Sequence, residues 1–219
     1  MIDFREFPKI PRLNRTCTIT EKIDGTNGVI HIEEHSDGQH TVLAGSRTRW
    51  LAPGDDNHGF AAWVHANALE LLQLGPGTHY GEWWGNGINR GYGLAEKRFS
   101  LFNTARWSDP VVRPACCGIV PVLYEGLFES GAAKMCLGFL KDSGSQAAPG
   151  FMDPEGIVVY HYAANSYFKA TIKGDEEGKH ADAHPKKERK PQEHKPKDPS
   201  KGGRRKEDLP FVGYEKRKQ

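Results

Sequence analysis

No stretch of the 219-residue chain approaches the roughly 18 consecutive apolar residues that a membrane-spanning helix needs. The first residues, MIDFREFPKIPRL, contain no apolar core of the kind a signal peptide requires, so no leader is expected. Cysteine is sparse. Cys17, Cys116, Cys117 and Cys136 form no CxxC pair, and two of them are adjacent. That pattern argues against a disulfide scaffold and against a structural zinc site, so reduced thiols with no disulfide partner are expected, in a reducing compartment. Phosphate-loop signatures are missing as well. No GxxxxGK[ST] occurs, and Gly85-Asn86-Gly87-Ile88-Asn89-Arg90 breaks GxGxxG at its last position, which excludes P-loop and Rossmann sites. No Ser-His-Asp arrangement can be argued from spacing.

The length allows one large domain or two small ones, each able to bury a core without disulfides or metals. The mean hydropathy of −0.66 is low, and one end of the chain is the reason. From Ala183 to Gln219 there are 13 Lys/Arg against 6 Asp/Glu, a net of +7, which leaves the rest at 17 against 22, a net of −5. This Pro- and Lys-rich segment is nearly free of apolar residues until Leu209, too few to offset the entropy of ordering it. It reads either as an arm for nucleic-acid phosphates or as a solvated tail. The boundaries expected are a folded body at 1–174 and a basic, disordered tail at 175–219, within which LPFVGY could dock on the body.

Patterning within the body is strand-rich. Alternating, β-branched runs predict strands at Thr16–Ile23, Gly28–Glu34, His40–Gly45, Thr78–Trp84, Arg98–Phe102, Ile119–Tyr124, Gly156–Tyr160 and Tyr167–Ile172. Asp24-Gly25-Thr26-Asn27-Gly28 and Ser36-Asp37-Gly38 carry turn chemistry, and the first would let the backbone approach a ligand closely. Asp55, Asp56 and Asn57 can cap a helix running to about Leu74, with Phe60, Val64, Ala68 and Leu71 at helical spacing and Gly75-Pro76-Gly77 as the stop. A second helix is expected over Ser130–Leu140, with Met135 and Phe139 on one face. Many strands with two inserted helices predict an α+β domain built on antiparallel sheets.

Charges interrupt several of these strands. Lys22 follows a β-branched run, Glu82 precedes Trp83-Trp84, Glu155 opens Ile157-Val158-Val159-Tyr160, and Lys169 sits in Tyr167-Phe168-Lys169-Ala170-Thr171-Ile172. One reading places each on a solvated face. The other directs both signs into one cleft, where carboxylates would serve a cation and lysines an anion, as a metal–phosphate ligand requires. His31, His35 and His40 lie on or beside one predicted hairpin and read as surface residues.

These residues together carry a resemblance. Glu21-Lys22-Ile23-Asp24-Gly25-Thr26-Asn27-Gly28 resembles motif I (KxDG) of the covalent nucleotidyltransferases: ATP-dependent DNA ligases, RNA ligases and mRNA capping enzymes. The other motifs follow in that superfamily's order. Ser46-Arg47 resembles motif Ia, Tyr80-Gly81-Glu82-Trp83-Trp84-Gly85 motif III, and Arg98-Phe99-Ser100-Leu101-Phe102-Asn103 motif IIIa. Glu155-Gly156-Ile157-Val158-Val159 resembles motif IV, and Tyr167-Phe168-Lys169-Ala170-Thr171-Ile172-Lys173 motif V. The set spans about two thirds of the chain. The flank Phe7-Pro8-Lys9-Ile10-Pro11-Arg12-Leu13 and the EKIDGTN wording are most similar to RNA ligase-like proteins, often encoded by bacteriophages. Motif V of the superfamily has two lysines one residue apart, whereas here Thr171 stands at the second place and Lys173 lies two further on. Only 46 residues follow Lys173, which argues against the OB domain of DNA ligases and capping enzymes.

The resemblance implies an antiparallel-sheet nucleotidyltransferase (ATP-grasp-like ligase adenylation) domain without an OB domain. It implies ATP and Mg²⁺ or Mn²⁺ as cofactors, a nucleic-acid partner (RNA foremost) and a cytoplasmic location, that of the host if phage-encoded. Lys22 would attack the α-phosphorus of ATP, leaving lysyl–AMP. The AMP would pass to a 5′-phosphate end, and a 3′-hydroxyl would displace it. Phe102 would stack on adenine, Glu82 would hold the ribose, and Arg47 and Lys169 would contact phosphates. Glu155 would serve the metal through water, Asn27 likewise, Glu21 would touch the adenine amino group through its backbone, and Lys173 is a further phosphate candidate. Three functions stay open: an RNA ligase; a DNA or nick-sealing ligase or stand-alone adenylyltransferase; and an inactive nucleic-acid-binding homologue, against which the intact Lys22, Glu82 and Glu155 speak.

Overall fold

The structure, a computed structural model, describes residues 3–54 and 56–173 and the backbone of Gly213–Glu215. In chain order the elements are β1 (Thr16–Lys22), β2 (Thr26–Glu34), β3 (Gln39–Gly45), β4 (Trp50–Leu51), α1 (Phe60–Ala66), α2 (Ala68–Leu71), β5 (Gly77–Gly85), β6 (Lys97–Leu101), α3 (Thr104–Trp107), β7 (Cys117–Ile119), β8 (Val122–Leu127), α4 (Ser130–Ser143), β9 (Gly156–His161), β10 (Ser166–Thr171) and β11 (Gly213–Glu215). The fold is mixed α+β with antiparallel-rich sheets, as the strand patterning predicts. The described chain divides into two compact units, one built from residues 3–22 and 121–173, the other from 23–120 together with β11.

The first unit holds a four-stranded antiparallel sheet in the order β10-β9-β1-β8. Strand alternation sends Cys17, Ile19, Ile157 and Val159 to one face, where they pack with Ala132, Cys136 and Leu140 of α4. Leu140 and Ile157 are fully buried, each contributing about 1.5–3 kcal/mol of transfer free energy. The stripe of α4 that packs on the sheet is Ala132, Cys136 and Leu140, and the face shared by Met135 and Phe139 lies outside it. Met135 and Phe139 are 57 % and 45 % exposed, because Ala132 and Cys136 are small enough to let the helix lie close to the strands.

The second unit holds a seven-stranded sheet, with path β11-β3-β2-β5-β6-β7 and β4 paired to β3. Its pairs are antiparallel except β6 with β7, which run parallel, a departure from the all-antiparallel expectation. Ile30, Ile32, Trp83, Phe99 and Leu101 face Phe60, Val64, Leu71 and Leu74 in its core. The predicted 57–74 helix starts later and breaks into pieces. Asp56 accepts the amides of Ala61 and Ala62 at 2.7 and 3.1 Å, serving α1 from outside it. Asn57 does not cap; its amide donates to Thr26 Oγ1 at 2.9 Å. Asp55 lies outside the described residues. At Asn67 the side chain donates to the Trp63 carbonyl, competing with the backbone ladder, and the helix gives way to α2 and a 3-10 turn. Gly75, at φ 76°, ends it as expected.

Two further expectations change. The single strand predicted over Ile119–Tyr124 is two, β7 and β8, in different sheets. Pro121, which has no amide to give a ladder, stands at the break. Of the basic tail, the described part is β11, whose Tyr214 stands opposite His40 at the edge of β3; the rest of the tail lies outside the described residues. No helix among the described residues is long and apolar enough to cross a membrane.

Candidate active site

Lys22 is the last residue of β1. Alternation places it with Thr18 and Thr20 on the sheet face away from α4. Its Nζ donates to Glu155 Oε2 at 2.5 Å, with side-chain exposures of 23 % and 19 %. Cross-strand register aligns three rows on that face: Thr18, Tyr160 and Tyr167; Thr20, Val158 and Lys169; Lys22, Gly156 and Thr171. Lys169 thus shares the face of Lys22, one row back and two strands over. Thr171, standing where a second lysine would, is in the row of Lys22 itself. Lys173 is exposed and ion-paired with Asp153 at 2.6 Å. Gly156 is required by its own sheet, since a Cβ there would overlap the Ala170 carbonyl oxygen.

Glu21 points the opposite way and is 1 % exposed. Its carboxylate accepts the Ser145 hydroxyl at 2.6 Å and the amides of Gln146 and Ala147 at 2.7 and 3.0 Å, which ties the loop after α4 to β1. Its backbone amide donates to the Pro121 carbonyl at 2.9 Å. Burial pushes the carboxyl above its ordinary range, while the three hydrogen bonds hold it back. The folded protein therefore binds this proton more tightly than the unfolded chain does. Linkage makes stability fall as pH rises from the unfolded pKa through the raised folded one. Glu21→Gln should remove that slope. Near neutral pH it should cost about 1–3 kcal/mol, since an amide cannot accept all three donors. Denaturant unfolding of both proteins from pH 4 to 8 checks this, and parallel pH profiles would contradict it.

In the second unit, Asn27 of β2 and Glu82 of β5 are cross-strand partners, with Ser100 of β6 beyond Glu82. Glu82 is 9 % exposed. It accepts the Gly25 amide at 3.1 Å and the Asn27 side-chain amide at 3.2 Å. Thr26 and Asn27 belong to β2, so the expected five-residue turn is shorter. Its glycines are close-packed against protein. A Cβ on Gly25 would lie 2.5 Å from the Trp83 carbonyl, and one on Gly28 2.7 Å from the Phe60 ring and 2.8 Å from Phe99.

Asp24 accepts from Asn89 Nδ2 and Arg90 Nε, both at 2.9 Å, while its amide donates to the Tyr92 hydroxyl at 2.8 Å. Asn89 also reaches the Gly25 carbonyl at 2.7 Å. The 85–93 loop, discarded as a phosphate motif, is thus what holds the Asp-Gly of KxDG. Asn89 and Tyr92 do so with φ of 43° and 52°. Sequence reasoning missed these three residues. The available signal was a glycine-rich run whose Asn and Arg had no other use.

Phe102 follows β6, half-buried, and its amide donates to the Tyr80 carbonyl at 3.0 Å, extending the ladder by one step. Alternation from Ser100 puts it on the face of Glu82. Arg47 is exposed in the β3–β4 connection. Of the three histidines, His40 is buried, at 8 % exposure, because it faces inward on β3, and so departs from the surface reading. A cavity of about 390 Å³ lined by Trp63, Trp83, Asn86, Glu96 and Lys97 contains none of the predicted residues. Its lining groups bond to one another, with the His58 carbonyl accepting from Trp83 Nε1 at 3.1 Å and Lys97 Nζ at 2.8 Å. Among the described residues no three His, Cys, Asp or Glu side chains gather as a metal centre.

No curated protein sequence matches the chain. Solved structures do. A point mutant of the RNA ligase of Naegleria gruberi with ATP and Mn matches at a TM-score of 0.53 and 18 % identity, covering 72 % of this chain and 49 % of that one. A second mutant of that ligase with AMP and Mn matches at 0.51 and 18 %, covering 73 % and 50 %. The same ligase with PPi matches at 0.51 and 17 %, covering 72 % and 50 %. At this identity the likeness is one of fold, and the chain spans about half the length of those structures. The family model described as RNA ligase matches residues 15–173, a span that contains every described strand except β11. The chain therefore belongs to the RNA ligase family.

Proposed function

We propose that this chain is an ATP-dependent RNA ligase whose nucleotidyltransferase body is residues 1–174, with the basic segment 175–219, of which β11 pairs with β3, as an arm for nucleic-acid phosphates. The observation that carries the reading is the Lys22–Glu155 pair, contributed by KxDG and by the Glu-Gly of motif IV within a match to the family over 15–173. The ligands of the similar structures support it: ATP is the substrate of an ATP-dependent ligation, PPi the product of its first step and AMP that of its last.

Lys22 Nζ, held by Glu155, gives its ammonium proton to solvent, bonds to the α-phosphorus of ATP as the bond to the pyrophosphate oxygen breaks, and releases a second proton to solvent as the phosphoramidate forms. A strand's 5′-phosphate oxygen then attacks that phosphorus. The P–N bond breaks and the Lys22 amine takes up two protons from solvent. A 3′-hydroxyl finally attacks the 5′-phosphorus, and AMP leaves with the bridging oxygen. Catalysis of this kind depends mainly on positioning and charge neutralisation. Lys169 and Arg47 serve phosphates, with Lys173 as a further contact; Phe102 stacks on adenine; Glu82, fixed by Gly25 and Asn27, holds the ribose; the Glu21 backbone meets the adenine amino group. Glu155 and the Asn27 side-chain oxygen are each a hard oxygen donor of the kind Mg²⁺ or Mn²⁺ takes. A bound divalent cation supplies charge neutralisation at the triphosphate.

Incubating the full-length protein with ATP and Mg²⁺ and a panel of 5′-phosphorylated RNA and DNA strands, single and nicked, tests the reading. Joined RNA is expected. Joining of DNA alone, or of nothing, would overturn it.

A further inference from the structure

The Lys22 face of the four-stranded sheet carries three tyrosines with no assigned role, of which Tyr167 opens the motif V stretch. Tyr160 and Tyr167 stand side by side across β9 and β10, ring centroids 4.7 Å apart, and Tyr162 lies edge-on to Tyr160 at 4.9 Å. Tyr167 is 66 % and Tyr162 45 % exposed, so aromatic surface is left in water that a soluble sheet would ordinarily cover. Two of the rings are tied by their hydroxyls. The Tyr160 hydroxyl donates to Asn165 Oδ1 at 2.7 Å, and the Tyr162 hydroxyl lies 3.1 Å from Thr18 Oγ1, which in turn donates to Glu125. Partial burial, then the neighbouring phenols, push the Tyr167 hydroxyl above its ordinary range.

Register fixes where the cluster lies. Tyr160 and Tyr167 occupy the row of Thr18, four residues along β1 from Lys22, which is about 13 Å at strand rise. Lys169 occupies the row between them and Lys22. A lysine and a contiguous set of aromatic rings on one face match the two needs of a single strand, a cation for phosphate and π-faces for bases. At about 3.4 Å per stacked nucleotide, 13 Å is about four nucleotides. We infer that Tyr160, Tyr162 and Tyr167 form a stacking platform for the bases of the 5′-phosphorylated strand, within about four nucleotides of the end presented to Lys22. The inference rests on the ligase reading for the identity of that strand.

The test uses the full-length protein, a 5′-phosphorylated RNA, and the same RNA with abasic sites at its first four positions. Tyr167→Leu should weaken binding of the intact strand by roughly ten- to hundredfold, the range found when a stacking aromatic is removed. It should leave the abasic strand's affinity unchanged. Tyr167→Phe should bind like the wild type, since the ring remains. Equal affinity of Tyr167→Leu and wild type for the intact strand would overturn the platform and leave the tyrosines as a protein-docking face. So would an equal loss on both strands, which marks a phosphate or folding effect. AMP labelling of the wild type from ATP is read alongside. A wild type that takes no label yet binds RNA through Tyr167 refutes the ligase reading and leaves the platform standing.

Discussion

Lys22→Ala should abolish ligation from ATP, by at least about 10⁴-fold, while leaving the protein folded and still able to seal a strand that already carries AMP on its 5′-phosphate. The nucleophile of a covalent mechanism has no substitute nearby. Lys169 sits a row back and two strands over from Lys22 on the sheet. The last step needs no amine, because the 3′-hydroxyl attacks a phosphorus already activated by AMP. The fold should survive, since the pair sits at the end of β1 with 23 % and 19 % side-chain exposure and Glu155 remains within reach of water. Comparing ATP-dependent joining with joining of the pre-adenylylated strand reads both halves. A variant that still joins strands from ATP contradicts the assignment, and one that fails on both substrates shows that Lys22 acts at more than the first step.

Glu155→Ala should slow formation of the AMP adduct by more than a hundredfold, about 2.7 kcal/mol of barrier, at every Mg²⁺ concentration. Glu155 Oε2 is the group that holds Lys22 Nζ, at 2.5 Å. An amine released from that contact samples many rotamers, and small misplacements of a reacting atom cost factors of this size. Added cation cannot restore the position of a lysine. Glu155→Gln, which keeps an oxygen acceptor without the charge, should recover part of the rate. Single-turnover adduct formation across a Mg²⁺ titration is the measurement. Near-normal rates, or full rescue by Mg²⁺, would make Glu155 a solvated strand residue.

Much of this was legible in the sequence because strands announce themselves locally. The alternation through Thr16–Lys22 and the apolar run after Glu155 predict β1 and β9, and their pairing brings Lys22 to Glu155. Residues whose roles depend on distant partners were not legible. Glu21 sits beside Lys22 in sequence, yet its carboxylate is buried against a loop more than 120 residues away. Asn89 and Arg90 hold Asp24 across 65 and 66 positions. The break at Pro121 and the parallel pairing of β6 with β7 depend on which sheet each segment joins, and a run of β-branched residues carries no record of that. Apolar spacing puts Met135 and Phe139 on one face of α4 but does not say which face packs: Ala132 and Cys136 do, and Met135 and Phe139 do not.

The measurement that bears most directly on the account is the mass of the wild-type protein after incubation with ATP and Mg²⁺, followed by peptide mapping of any adduct. The account predicts a gain of one AMP per chain, reversed by added pyrophosphate and located on the peptide that contains Lys22. No gain in mass, or an AMP located on any other residue, would contradict it.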